Sequence, residues 1–237
     1  MTITSPHNDK LKLVHRLGRR RTREREGLFV TEGEDLLAAA RAAGEEPVEL
    51  LTAAGKGLGG TEVEPALLDR FSTLGSGTRA IGVWRQLWAE RAVAPAVYLH
   101  GVSDPGNVGA VVRTAQALVG GSVVLGPDCA DPFGARAVRA SMGAVFSEPL
   151  VRGGVDATPN PRMALVAHGG EPLERLGGAA TICLGAEREG LPPEVLAECD
   201  VQVTIPLREG AESLNVAAAA AIALQGIASG SGEGDGD

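Results

Sequence analysis

Apolar positions along this chain fall into short runs separated by longer amphipathic stretches. Residues 7–20 put Leu11, Val14 (or Leu13) and Leu17 on one side of a predicted helix and basic residues on the other. Residues 28–30 form a short strand candidate, and residues 32–43 a helix stopped by Gly44. Residues 48–51 read as a strand, 55–60 as a turn cluster, 65–71 as a helix and 80–84 as a strand. Together they predict a small α/β unit over residues 1–88. Residues 85–95, ending at Pro95, read as a linker.

The second half alternates more regularly. Strands are predicted at 97–99, 122–125, 146–151, 163–167, 180–184 and 201–205. Helices are predicted at 107–119, 134–142 and 193–199, with a long closing helix at 213–228. Strands alternating with helices imply a mainly parallel sheet covered on both faces, here assigned to residues 94–229. The remaining residues, 230–237, are rich in Gly, Ser and acids and are expected to be disordered.

Composition narrows the possibilities. Aromatics are 3% of the chain, so its cores must be built from Ala, Val and Leu. No apolar run is long enough for a membrane span, and the first residues hold no signal-peptide stretch. Cys129, Cys183 and Cys199 include no C-x-x-C pair, so they predict neither a disulfide framework nor a zinc site, and no metal is expected. They read as small buried residues in a reducing, cytoplasmic setting.

Net charge is −8, yet Lys10 to Glu26 holds eight basic and two acidic residues, so that segment is +6 and the remainder −14. Lys10, Lys12, Arg16, Arg19, Arg20, Arg21 and Arg23 are therefore candidate contacts to an RNA or DNA backbone. The alternative is a solvated basic helix with no partner.

Three stretches carry candidate chemistry. The first is Asp104-Pro105-Gly106-Asn107-Val108-Gly109, leading to Arg113. Asp104 or Asn107 can cap the helix that follows. Arg113 is the one charge among Val108, Val111, Val112, Ala115 and Leu118, so it must be paired or face a cleft. It can hold an anion such as an RNA phosphate, or form a structural salt bridge. The second stretch, Gly185-Ala186-Glu187-Arg188-Glu189-Gly190, is a glycine-bracketed loop after a strand, with bare backbone at Gly185 for a ligand and a carboxylate at Glu187. Neither a P-loop nor a G-x-G-x-x-G loop occurs, which disfavours a nucleotide-binding oxidoreductase. The third stretch is Ser213-Leu214-Asn215. Here Ser213 is a candidate N-cap, and Asn215 needs a polar partner at the start of an uncharged helix. That helix is expected to be buried or to lie at a subunit interface.

These stretches resemble the three signature motifs of the SpoU/TrmH family of RNA ribose 2′-O-methyltransferases, within the SPOUT class. The run from Asp131-Pro132-Phe133 to Arg139-Ala140-Ser141-Met142-Gly143-Ala144 is similar to an intermediate family segment, and all four lie in order between residues 96 and 228. Arg25 to Gly33 resembles part of the small RNA-binding domain found in many members. This copy is short around residues 52–62, and Ala217 stands where the third motif often has Ser or Thr.

The resemblance implies an α/β fold with a C-terminal trefoil knot, S-adenosylmethionine as cofactor and a homodimer. By matching position, it implies that Gly185, Ile205, Leu207 and Leu214 hold the cofactor and that Arg113 assists removal of the ribose proton. Asn107, Glu187, Ser213 and Asn215 would shape the site, some of them supplied by the partner subunit. Arginine is normally too basic to act as a base, so stabilisation of the developing alkoxide is the favoured role. Large-subunit rRNA is the first substrate implied and tRNA the second. A non-catalytic RNA-binding factor with the same fold is the rival reading.

Overall fold

The computed structural model describes residues 2–73, 77–173 and 180–230. Of the tail expected over residues 230–237, Gly230 ends the closing helix and residues 231–237 lie outside the described residues.

The N-terminal unit contains α1 (Asp9–Leu17), α2 (Arg20–Glu26), β1 (Leu28–Glu32), α3 (Glu34–Ala42), β2 (Glu49–Ala53), β3 (Thr61–Val63), α4 (Pro65–Phe71) and β4 (Ala80–Arg85). Its sheet has the order β1-β4-β2-β3, with β4 antiparallel to both neighbours and β3 parallel to β2. Leu11, Val14 and Leu17 are the buried face of α1 and pack with Leu51, Leu68 and Ile81. Val14 therefore takes the position left open against Leu13. The predicted helix over 7–20 breaks at Gly18 and Arg19, where Arg19 turns extended at φ −96° and ψ 128° and starts α2. β3 was not anticipated, because three residues beside a glycine-rich turn carry too little pattern.

The C-terminal unit contains β5 (Ala96–Leu99), α5 (Pro105–Leu118), β6 (Ser122–Leu125), α6 (Ala135–Ser141), β7 (Leu150–Arg152), β8 (Arg162–Leu165), β9 (Glu171–Pro172), β10 (Thr181–Leu184), α7 (Pro193–Leu196), β11 (Val201–Thr204) and α8 (Val216–Gly230). Its seven-stranded sheet is parallel throughout, in the order β7-β6-β5-β10-β8-β11-β9. Every residue of β5, β6 and β10 is buried, as a sheet covered on both faces requires. The chain reaches the middle of the sheet late: β10 lies between β5 and β8.

Two predicted elements change. The strand expected over 146–151 is a 3₁₀ turn at Ala144–Phe146 followed by the short β7. Gly143, at φ 95°, starts that turn and sends Phe146 into the core. The closing helix begins at Val216 rather than Ser213.

One core runs through both units. Phe29 of β1 lies 4.9 Å from Phe133 and 5.6 Å from Phe146, and Trp84 of β4 lies 4.9 Å from Phe146. Four of the chain's few aromatic rings thus hold the two sheets together, each contributing a large buried area. Residues 86–95 are tied down along the way: the amide of Ala89 donates to the Leu150 carbonyl at 2.8 Å, and that of Val93 to Ser122 Oγ at 2.9 Å. The three cysteines are free thiols, with Cys129 and Cys183 buried. Among the described residues no helix is long and apolar enough to cross a membrane.

Candidate active site

The first turn of α5 is capped by Asp104, whose Oδ1 accepts the Asn107 N–H at 3.0 Å. That cap leaves the Asn107 side chain free to reach outward. Its Nδ2 donates to Glu187 Oε1 at 2.6 Å, and its Oδ1 accepts from Asn215 Nδ2 at 3.0 Å. Asn215 in turn caps α8, its Oδ1 accepting the N–H groups of Ala217 at 2.9 Å and Ala218 at 3.3 Å. One asparagine therefore joins the three stretches singled out in the sequence.

The cap of α8 corrects an expectation. Ser213 is exposed and makes no hydrogen bond among the described residues, because the helix starts after Asn215. The partner that Asn215 required is Asn107.

Glu187 projects from the loop after β10. That loop closes on itself: the Gly190 N–H donates to the Ala186 carbonyl at 2.9 Å, and Gly190 takes φ 69°. A Cβ on Gly185 would run into the backbone of Gly190 and Leu191, so glycine is required there for the turn itself. Likewise a Cβ on Gly109 would strike the Ala137 carbonyl, so that glycine lets α5 lie against α6. At Gly185, where the sequence offers bare backbone to a ligand, close chain packing is a second reason for the glycine.

A cavity of about 480 Å³ opens at the carboxyl ends of β8, β10 and β11. Its wall includes Gly185, Ile205, Leu207 and Leu214, together with Glu187 and Ser213. Its size lies within the range of small-molecule sites, about 300–1,000 Å³. Leu214 is 38% exposed, an apolar side chain turned toward open space in the cavity. Leu165 at the end of β8 and the following Val166 and Ala167 also line it, beyond the residues singled out in the sequence. Their only signal was a predicted strand ending at one edge of a parallel sheet, where ligands bind.

Arg113 departs from its predicted setting. It is exposed, has no hydrogen bond or ion pair among the described residues, and is not part of the cavity wall. Helical periodicity turns Val108, Val111, Val112 and Ala115 inward and Arg113 to the opposite side. Among the described residues no salt bridge receives it, and it lies outside the cavity.

The basic N-terminal residues divide into two groups. Arg23 is buried: Nη2 lies 2.7 Å from Asp131 Oδ2, and Nη1 donates to the carbonyls of Leu17 at 2.8 Å and Gly18 at 3.1 Å. It joins the two units and is not available to RNA. Lys10 is half-buried and paired with Glu49 at 2.7 Å, Lys12 is paired with Asp9, and Arg20 is paired with Glu24. Arg16, Arg19 and Arg21 are exposed and have no ion pair among the described residues.

The parallel α/β domain thus carries its cavity at the carboxyl edge of the sheet, where such sheets bind ligands, with a polar bridge at the rim. Residues 94–225 match the model of the SpoU rRNA Methylase family, and the chain belongs to that family. The chain is similar to the 23S rRNA (guanosine(2553)-2'-O)-methyltransferase RlmP of Bacillus subtilis, 34% identical over 133 residues covering 52% of this chain and 54% of that protein. It is also similar to the 23S rRNA (guanosine-2'-O-)-methyltransferase RlmB of Haemophilus influenzae, 31% identical over 53% of this chain and 56% of that one. The chain spans about half the length of the curated relatives it matches. Among solved structures, the AdoMet-bound rRNA methyltransferase of Sinorhizobium meliloti superposes with a TM-score of 0.81 at 26% identity, covering 96% of this chain and 97% of that one.

Proposed function

We propose that this protein transfers a methyl group from S-adenosylmethionine to a ribose 2′-hydroxyl of RNA, with large-subunit rRNA as first candidate substrate and tRNA as second. The observation that carries this reading is the cavity walled by Gly185, Ile205, Leu207 and Leu214 and bordered by the Glu187–Asn107–Asn215 bridge. Backbone groups at the Gly185 loop suit the polar parts of the cofactor, and Leu207 and Leu214 suit its adenosine and methionine stem. AdoMet in the Sinorhizobium meliloti structure supports the same assignment.

When bound, S-adenosylmethionine supplies an activated sulfonium methyl. The chain's own residues must then align and polarise the hydroxyl. Asn107 holds Glu187 at the cavity mouth, where its second oxygen can orient a ribose hydroxyl. Arg113 stabilises the negative charge that develops on the hydroxyl oxygen as the oxygen–methyl bond forms and the sulfur–methyl bond breaks, the hydroxyl proton passing to solvent water.

Arg113 stands off the cavity wall, which fits a site completed by a second copy of the chain. The outward stripe of α8 supports such a homodimer: Ala218, Ile222, Gln225 and Ser229 are uncharged, and Ile222 is 40% exposed. The late insertion of β10 between β5 and β8 supports the knotted form of the SPOUT class. Arg16, Arg19 and Arg21 support an RNA-capturing role for residues 1–88, with residues 94–229 as the methyltransferase domain. The free thiols fit a cytoplasmic setting.

The test is methyl transfer from tritiated cofactor to rRNA lacking its native methylation. Wild type should label the RNA, and Arg113→Ala should lose labelling while cofactor binding persists. Full labelling by that variant would overturn the role given to Arg113.

A further inference from the structure

A second cleft, of about 570 Å³, opens at the other end of the sheet's carboxyl edge, where the loops after β6 and β7 meet α2. Strands lie about 4.8 Å apart, so along the order β7-β6-β5-β10-β8 this cleft sits roughly 15–20 Å from the first cavity, on the same edge. Trp88, from the segment joining the two units, lies in its wall. One side of Trp88 meets Phe133 edge-on at 5.2 Å, and the Arg152 guanidinium lies over the ring at 4.5 Å from its centroid. Arg152 is itself 56% exposed on its side chain, so its outward side is open to the cleft. Arg20 reaches the same cleft from α2 and is equally exposed. Glu24 lies between the two arginines, 3.0 Å from Arg20 Nε and 3.9 Å from Arg152 Nη2. The backbone at Gly153 and Gly154 lines the cleft, and the Asp128 carboxylate stands at its rim.

We propose that this cleft is a subsite for one unpaired nucleotide of the RNA substrate, its base stacked on Arg152 and its phosphate held by Arg20. The inference rests on the RNA-methylating reading and adds where a nucleotide away from the target ribose is held. Unstacked bases are recognised on aromatic rings and on guanidinium planes, and here an indole supports the plane. The second arginine supplies a bidentate partner for phosphate oxygens. Asp128 can accept a hydrogen bond from a base amino group or a ribose hydroxyl. Glu24 occupies the anion position between the arginines until a phosphate displaces it. The cleft is also continuous with the start of α2, where Arg21 and the preceding Arg19 flank Arg20 and are exposed.

Trp84 is 1% exposed, so quenching of indole emission by an added nucleic acid reports on Trp88. The experiment titrates the full chain, without cofactor, with a short oligouridylate, with uridine monophosphate and with inorganic phosphate. The oligomer should quench emission at concentrations where the mononucleotide and phosphate do not. Arg152→Ala and Arg152→Lys should each weaken the oligomer about tenfold, because lysine keeps the charge and loses the plane. Arg20→Ala should weaken it as well. Glu24→Gln should tighten binding, a gain that a loss of folding could not produce.

Unchanged affinity in Arg152→Ala and Arg20→Ala would overturn the proposal, as would full binding by Arg152→Lys. Equal binding of uridine monophosphate would make this a site for a free nucleotide and overturn it too. In methyl transfer the two arginine variants should raise KM for RNA and leave kcat and cofactor binding unchanged. If wild type neither binds cofactor nor transfers methyl, the methyltransferase reading fails by itself, and the titration still decides the subsite.

Discussion

Asn107 and Glu187, eighty positions apart, are joined by a hydrogen bond of 2.6 Å at the mouth of the cavity. The bond fixes a carboxylate that projects from an exposed loop, and the same asparagine fixes Asn215 at the start of α8. Asn107→Ala would leave both partners free to rotate. Loss of alignment alone should lower the methyl-transfer rate by about ten- to a hundredfold. Cofactor affinity should stay nearly constant, since Asn107 is not on the cavity wall. Single-turnover labelling beside cofactor titration checks both halves, and a variant that loses cofactor binding instead would assign Asn107 to the pocket.

Arg23 and the exposed arginines around it should behave in opposite ways. Removing one partner of a buried ion pair costs about 3–5 kcal/mol, and Arg23 also holds the last carbonyls of α1. Urea denaturation of Arg23→Ala should therefore show a large loss of stability. Arg19→Ala and Arg21→Ala should change stability by less than about 0.5 kcal/mol. They should instead weaken RNA binding and flatten its dependence on salt. A stable Arg23→Ala protein with an equally flattened salt slope would reverse the assignment.

Glu148 gives the fold a pH dependence. It is 4% exposed, its Oε1 has no hydrogen-bond partner among the described residues, and burial pushes its carboxyl up to about 7. Below its ordinary value of 4.5, folded and unfolded chains both carry the proton, and its ionisation costs the fold nothing. As pH rises from there, the unfolded chain releases the proton first and the folded state loses relative stability. The cost is complete above about pH 7. Glu148→Gln should raise Tm, by a margin that grows between about pH 5 and about pH 8. A margin independent of pH would mean that Glu148 does not titrate in the folded protein.

Much of this architecture was legible in the sequence. The parallel sheet followed from apolar runs alternating with helical patterns, and the buried face of α1 from the spacing of Leu11, Val14 and Leu17. The four residues proposed to hold the cofactor came from the family resemblance, and they share one wall. What failed was whatever depends on a partner distant in sequence. Arg23 reads as one more basic residue until Asp131, 108 positions away, is placed beside it. Phe146 sits in an apolar run that reads equally well as strand or turn, and only Phe29 and Trp84 decide between them. Gly185 does line the cavity, but the close approach of Gly190 and Leu191 that also requires a glycine there leaves no one-dimensional pattern, and the same holds of Gly109 against Ala137. Arg113 was misplaced for a different reason: apolar neighbours in sequence are not neighbours on a helix surface.

Methyl transfer by this chain requires the cavity at Leu214 to hold the cofactor. Calorimetric titration of S-adenosylmethionine into the full chain tests this directly. Saturable binding of one cofactor per chain is predicted, weakened about tenfold in Leu214→Ala by the lost apolar contact. No heat of binding at high protein concentration, or equal affinity in the variant, would contradict it.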